Sequence, residues 1–302
     1  MEHGSSLKVV LGSLAGNLAI VIAKVAAAVV TGSGSMLGEA IHSSADCMNQ
    51  VLLLVGARQA QKPPSASHPM GYGRSAYFWS FLVALMLFFG GGVFSLREGY
   101  EKLHEPEQLE HLPAALAILL VSLIIEILSL AQAAGELNRR RGPVGFMAYL
   151  RQTTDADLVV LFAENGGDVV GLLLALGALG LSVITGDPRW DAIGSLGIGA
   201  LLTVIAGVLA REVTSLLLGE RADPAIERAF REEAALDPQL GPVLRVITVQ
   251  QGPAQVMIAA KLFAKPGIDA ETLAHAFNRL EARMRARCPE VKWQFLEPDV
   301  ED

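Results

Sequence analysis

Gly38-Glu39-Ala40-Ile41-His42-Ser43-Ser44-Ala45-Asp46 places an imidazole and a carboxylate four residues apart inside an apolar segment that runs from Ser35 to Ala57. At 3.6 residues per turn, His42 and Asp46 share one face of a helix. An apolar segment of about 20 residues can cross a bilayer. Ionisable groups inside one are costly and tend to be functional. Two questions follow: how many more such segments the chain has, and what partner offsets the cost of these charges.

The composition answers the first. Of 302 residues, 52% are hydrophobic and 18% charged, and the mean hydropathy of +0.41 is well above that of a soluble domain of this size. The expected fold class is an α-helical membrane protein with six transmembrane helices, roughly Leu7–Val30, Met36–Ala57, Tyr77–Leu96, Leu112–Ala134, Leu158–Ile184 and Ala192–Leu218. Met1 to Lys8 is short and polar, and the apolar run after it is too long for a signal-peptide core, so no cleavable leader is expected. The two cysteines, Cys47 and Cys288, fall in a span and in the polar tail, which argues against a disulfide between them and leaves no Cys-rich metal motif.

Orientation is read from the basic residues. Arg58, Lys62 and Arg74 lie between the second and third spans without an acid, and Arg139, Arg140, Arg141 and Arg151 follow the fourth; both segments read as cytoplasmic. Glu98, Glu101, Glu105, Glu107 and Glu110 follow the third span and fit the opposite side. An even number of spans then puts both termini in the cytoplasm, and the expected setting is a bacterial inner membrane.

Along the chain, Thr31-Gly32-Ser33-Gly34-Ser35 reads as a tight turn that packs the first two spans antiparallel. Asn17 and Lys24 must face other helices or water. His68-Pro69-Met70-Gly71-Tyr72-Gly73-Arg74 reads as a turn-rich loop leading to the interfacial aromatics Phe78 and Trp79. Gly90-Gly91-Gly92 in the third span lets helices approach closely. Gly142 to Asp157 is an amphipathic or irregular connector, and Glu126 is an acid amid Leu and Ile in the fourth span with no partner nameable from the sequence.

After Leu218-Gly219-Glu220 the composition turns polar, giving domains at 1–218 and 219–302. The second is expected as helix 224–235, strand 243–249, strand 255–263, helix 270–287 and strand 291–296, a compact α+β layer. At about 80 residues it is marginal alone, which favours dimerisation.

The second question is answered at Glu164 and Asp168 in the fifth span, which repeat the spacing of His42 and Asp46. Together the four offer one nitrogen and three carboxylates at membrane depth, a donor set for a divalent metal: imidazole favours zinc and its neighbours, and carboxylates admit manganese. With all three acids ionised the site carries three negative charges, untenable in a bilayer without a cation or protons. Metal and protons should therefore compete, which is the physical basis of proton-coupled antiport. Glu39 and Asn49 share the face of His42 and Asp46 and read as supporting or packing groups rather than ligands. Asp157 suits either a cytoplasmic entrance or the helix dipole. His68 reads as a solvated loop histidine.

These motifs resemble the cation diffusion facilitator family of metal exporters. The likeness rests on Thr31–Ser35 leading into His42-Ser43-Ser44-Ala45-Asp46, on His68–Arg74, on the acidic fifth span and on Leu216-Leu217-Leu218-Gly219-Glu220. Cys288-Pro289-Glu290-Val291 and Phe295-Leu296-Glu297-Pro298 extend it through the tail. The resemblance implies a ferredoxin-like cytoplasmic domain, homodimers, alternating access, and a transport site at His42, Asp46, Glu164 and Asp168 that exports divalent metal from the cytoplasm against protons. The metal is cargo, and no cofactor is expected.

Two departures matter. Glu164 stands where many zinc-selective members carry a second His, which hardens the site, although the zinc transporter 9-like subgroup has a Glu in a comparable stretch. The tail holds only His275, against the several histidines of members that bind regulatory zinc there. The rival readings are manganese, iron or cobalt selectivity, and a non-transporting sensor or scaffold. An enzyme is not expected, since His-Glu-x-x-His is absent, and nucleic acid is not an expected partner.

Overall fold

The computed structural model describes residues 3–31, 34–105, 112–153 and 156–300. Its elements run α1 (His3–Thr31), α2 (Gly34–Ala60), α3 (Ser75–Met86), a π-helical segment (Leu87–Val93), α4 (Phe94–His104), α5 (Leu112–Arg140) and α6 (Phe146–Gln152). There follow α7 (Ala156–Thr185), α8 (Arg189–Leu218), α9 (Pro224–Ala235), β1 (Leu240–Gly252), β2 (Gln255–Ala264), α10 (Ala270–Arg287) and β3 (Val291–Asp299). Two compact units emerge: Met1–Gln59 with Ala76–Thr214, and Ala60–Ser75 with Ser215–Asp302.

The first unit is helical. Among the described residues, four stretches are long and apolar enough to cross a membrane: Ser75–His104, Leu116–Arg140, Ala156–Thr185 and Arg189–Leu218. The first two expected spans fall on α1 and α2, helices of 29 and 27 residues. Residues 32–33 of the turn between them lie outside the described residues. Many large apolar side chains remain exposed, among them Ile22, Ile124, Leu173, Ile184 and Val204, as lipid-facing positions of spanning helices require.

The third expected span is longer than its hydropathy marks and is not a uniform α-helix. The residues Leu87-Phe88-Phe89-Gly90-Gly91-Gly92-Val93 form seven residues of π-helix between α3 and α4. Three consecutive glycines remove the side chains that stabilise regular α-helical packing, and π segments inside helices are frequent at functional positions. The same stretch packs closely on α8. A Cβ added at Gly99 would lie 2.8 Å from Leu196 N, and one at Gly199 would lie 2.6 Å from Leu96 N, so these backbones are in contact only because glycine stands there. Lys102 Nζ closes this pairing with Asp191 at 3.1 Å and Glu98 at 2.9 Å. Elsewhere in the unit α5 packs on both α1 and α7.

The second unit is a three-stranded sheet in the order β1-β2-β3, covered by two helices. Asp223 caps α9, accepting from Ala225 N at 2.7 Å, with Pro224 in the first turn. Asp269 caps α10 through Thr272 N at 2.8 Å. β1 and β2 pair antiparallel, and β3 returns parallel to β2 across α10, the crossover that parallel pairing requires. The amphipathic faces of α9 and α10 supply Phe230, Leu280 and Met284 to a core with Ile258 and Leu262. The α-β-β-α-β order read from the sequence is the one observed, with β1 starting earlier and β3 ending later than their apolar alternation marked.

The His68–Arg74 loop belongs to this unit. Gly73 lies against Gly252 so closely that a Cβ on Gly252 would stand 2.6 Å from Gly73 Cα. Arg74 donates to Leu217 O at 3.5 Å.

Candidate functional site

The polar residues of the second and fifth expected spans are carried by α2 and α7. Both helices are long apolar runs, so each polar side chain within them is placed by helical period rather than by a loop, and residues four apart lie on one face. Glu164 is fully buried on α7, and Asp168 follows one turn later, half-buried. Asp46 is half-buried on α2, and Asn49, one turn beyond it, is buried. His42 lies on α2, with its side chain outside the described residues, as is that of Glu39.

A direct bond joins the two helices at this level: Asn49 Nδ2 donates to Glu164 Oε1 at 2.7 Å. Asp46 acts electrostatically on Glu164, and so does Glu126 from α5. Glu126 is itself buried, so the acid that the sequence left without a partner joins the field around Glu164. Three buried groups here have polar atoms with no hydrogen-bond partner among the described residues: Glu164 Oε2, Asn49 Oδ1 and both amide atoms of Asn165. Each such atom costs about 1–3 kcal/mol if nothing satisfies it, and buried orphans in a native fold point to a missing partner.

The described residues bring no three His, Cys, Asp or Glu side chains together in a group that could hold a metal ion. Asp46 and Glu164 are within electrostatic reach of one another, and Asp168 stands a turn from Glu164 on the same helix. Two ionised carboxylates cannot share a ligand position without a cation or proton between them, so separation is the expected condition of the acids alone. The donors available are carboxylate and amide oxygens, which suit divalent cations of borderline to hard character.

The remaining candidates are dispersed. Asp157, in the first turn of α7, accepts from Ser80 Oγ at 3.3 Å. His68 is exposed, stacked on Tyr72 at 4.3 Å and joined to Ser67 Oγ at 3.0 Å. His275 is exposed, 3.9 Å from Glu271. Sequence reasoning placed Asn49 on the right face but could not name its partner. The available signal was the amide pair Asn49-Gln50, three and four residues after Asp46 and just ahead of the apolar run Val51–Val55.

A family model described as the cation efflux transmembrane domain matches residues 10–218. The proton-coupled zinc antiporter SLC30A9, mitochondrial, of Xenopus laevis is 33% identical over 241 residues, 79% of this chain and 43% of that protein. Its counterpart in Homo sapiens is 33% identical over 236 residues, 78% of this chain and 42% of that protein. The manganese efflux system protein MneP of Bacillus subtilis is 24% identical over 232 residues, 75% of this chain and 73% of that protein. The chain thus spans less than half the length of the SLC30A9 relatives. The family match over most of the chain, the apolar helices and the motifs of α2 and α7 agree: this is an integral membrane protein of the cation diffusion facilitator family of metal-transporting proteins.

Proposed function

We propose that the protein is a proton-coupled antiporter that exports a divalent cation, zinc first, through a site formed by His42, Asp46, Glu164 and Asp168. The observation that carries this reading is the Asn49–Glu164 bond at 2.7 Å. It joins the acidic levels of α2 and α7 in the interior of a helical unit, beside polar atoms that await a partner. The SLC30A9 relatives, named as proton-coupled zinc antiporters, support the cargo and the coupling.

In the mechanism, six spans carry the site, with α1 and α2 as the first two. The cation enters from the cytoplasm past Asp157, whose carboxylate at the start of α7 gives the opening a negative charge. It displaces protons from the acids of α2 and α7, and His42 contributes the nitrogen. On the far side protons take the acids back and the cation leaves, because a buried cluster of ionised carboxylates is untenable without one or the other. Both termini and the sheet unit lie on the arginine-rich side, the cytoplasm of a bacterial cell.

A homodimer completes the reading. On the sheet face away from α9 and α10, Ile247, Ala259 and Phe295 stand in register across the three strands, with Ile247 and Phe295 exposed. An apolar row of this kind is suited to a second copy.

The test is reconstitution in liposomes holding a pH dye, comparing zinc, manganese, iron and cobalt for the wild type and Asp46→Ala. Zinc flux with opposite proton movement, lost in Asp46→Ala, is the expected result. Flux indifferent to the substitution would sink the site, and flux without proton movement would remove the antiport. A second reading, selectivity for manganese, is favoured by the oxygen donor at Glu164 and by the MneP relative. It predicts that manganese outruns zinc in the same assay.

A further inference from the structure

Glu164 poses a coordination problem. Imidazole offers a metal one donor atom, whereas a carboxylate offers two oxygens and can bind through both. Two-oxygen binding raises the coordination number, which suits manganese and other hard cations. Tetrahedral zinc takes one atom from each of four ligands. A site that keeps zinc while replacing a histidine by a glutamate therefore needs a way to withdraw one of the glutamate's oxygens.

The structure contains such a device. Glu164 Oε1 accepts from Asn49 Nδ2 at 2.7 Å, while Oε2 has no hydrogen-bond partner among the described residues. Both side chains are buried, Asn49 at 2% exposure and Glu164 at 1%, so water does not compete for Oε1. The donor is a neutral amide, which engages one oxygen without discharging the carboxylate as an arginine or lysine would. It comes from the helix that carries Asp46, so the same bond ties this carboxylate to that helix.

We infer that Asn49 is a specificity-determining positioning residue: by holding Oε1 it leaves Glu164 a single coordinating oxygen, Oε2, and makes this carboxylate a one-atom donor in the place of an imidazole. The inference rests on the reading that Glu164 ligates the transported cation. A merely structural bond between α2 and α7 would act on abundance and on all cations alike. A bond that sets denticity acts on the ratio between cations.

The experiment measures initial zinc and manganese flux in proteoliposomes under one fixed proton gradient. The variants are Asn49→Leu, Asn49→Ala, Glu164→Ala, Glu164→His and Glu164→His combined with Asn49→Leu. Asn49→Ala removes the donor with a smaller side chain and a strong helix former, so the test does not depend on Asn49→Leu fitting a packed position. Loss of a supporting hydrogen bond at a metal site typically weakens affinity 10–100-fold. Both Asn49 variants should raise the zinc KM at least about tenfold while leaving the manganese KM unchanged or lower. In the Glu164→His background, where the ligand has one donor atom regardless, Asn49→Leu should leave the ratio of the two KM values untouched. Equal losses for both cations in Asn49→Leu and Asn49→Ala, with the ratio kept, would overturn the inference while leaving the transport site standing. Wild-type flux in Glu164→Ala would instead overturn the site itself, and the inference with it.

Discussion

Two buried carboxylates in this protein are treated in opposite ways. In the sheet unit, Asp237 accepts from Arg279 Nε at 3.0 Å and Nη2 at 3.2 Å and from Gln239 N at 3.1 Å, with Arg283 3.7 Å away. In the helical unit, Glu164 has one amide on one oxygen and no partner among the described residues on the other. Burial pushes the Asp237 carboxyl up, and the Arg279 bond, the Gln239 N–H and the two guanidinium charges outweigh it and hold the group below the usual carboxylate range. A saturated carboxylate joins α9 to α10 and stays ionised. An under-partnered one keeps an oxygen free of hydrogen bonds among the described residues.

The strongest way to break this comparison is to remove the acids of the helical unit. Asp46→Ala and Glu164→Ala should each reduce zinc flux in proteoliposomes to the protein-free background while amide hydrogen exchange in β2 and α10 stays as in the wild type. Retained flux in either would mean that under-partnering at this level is not functional.

Neutral isosteres sharpen the contrast in stability. Asp237→Asn removes the charge facing two guanidinium groups, though Arg279 keeps Gln239 and Arg283 keeps Glu233, and should lower the protection of α9 and α10 amides by about 1–2 kcal/mol, the lower part of the range for a lost charged partner because Arg279 is half exposed. Glu164→Gln replaces a buried acid that has one hydrogen-bond partner among the described residues with a neutral isostere, and should leave the thermal midpoint of the full chain unchanged or higher. The same sign for both variants would erase the distinction.

Acid supplies a smaller effect with a definite sign. Because the folded-state pKa of Asp237 lies below its unfolded value of about 3.9, its contribution to stability is fully present at neutral pH and is lost only as pH falls through that value toward the folded one. Hydrogen exchange of α9 and α10 should be flat between about pH 7 and pH 5 once corrected for intrinsic rates, and protection should fall below about pH 4. In Asp237→Asn that step should shrink to the part contributed by Asp269, which its bonds to Thr272 at the start of α10 also hold below the usual carboxylate range. The smallest effect belongs to Arg97 and Glu101, an exposed pair at 2.7 Å on α4. Arg97→Ala should leave the midpoint and the flux of the full chain within error, since exposed ion pairs contribute little.

Much of this was legible in the sequence because it is local. Apolar runs of membrane length, the four-residue spacing of Glu164 and Asp168, and the α-β-β-α-β order each follow from a period of 3.6 or 2 along a continuous stretch. The π-helical turn at Gly90–Gly92 was visible only as a weak point, because the glycines state that the helix is easily deformed and not which deformation is adopted. That Glu126 acts on Glu164 was not legible, nor was the Asn49 partner of Glu164, since each lies on another helix.

The chain by itself therefore determined the family, the helical membrane character and the ionisable residue types carried within the helices, all consequences of composition and short-range spacing. Tertiary structure alone decided that Asn49 meets Glu164 across 115 residues, that Glu126 joins the field around it, and that the His68–Arg74 loop packs with the sheet unit. The physical reason is that a helix's period says which residues share a face, whereas the neighbour that face meets is set by how helices far apart in sequence pack together.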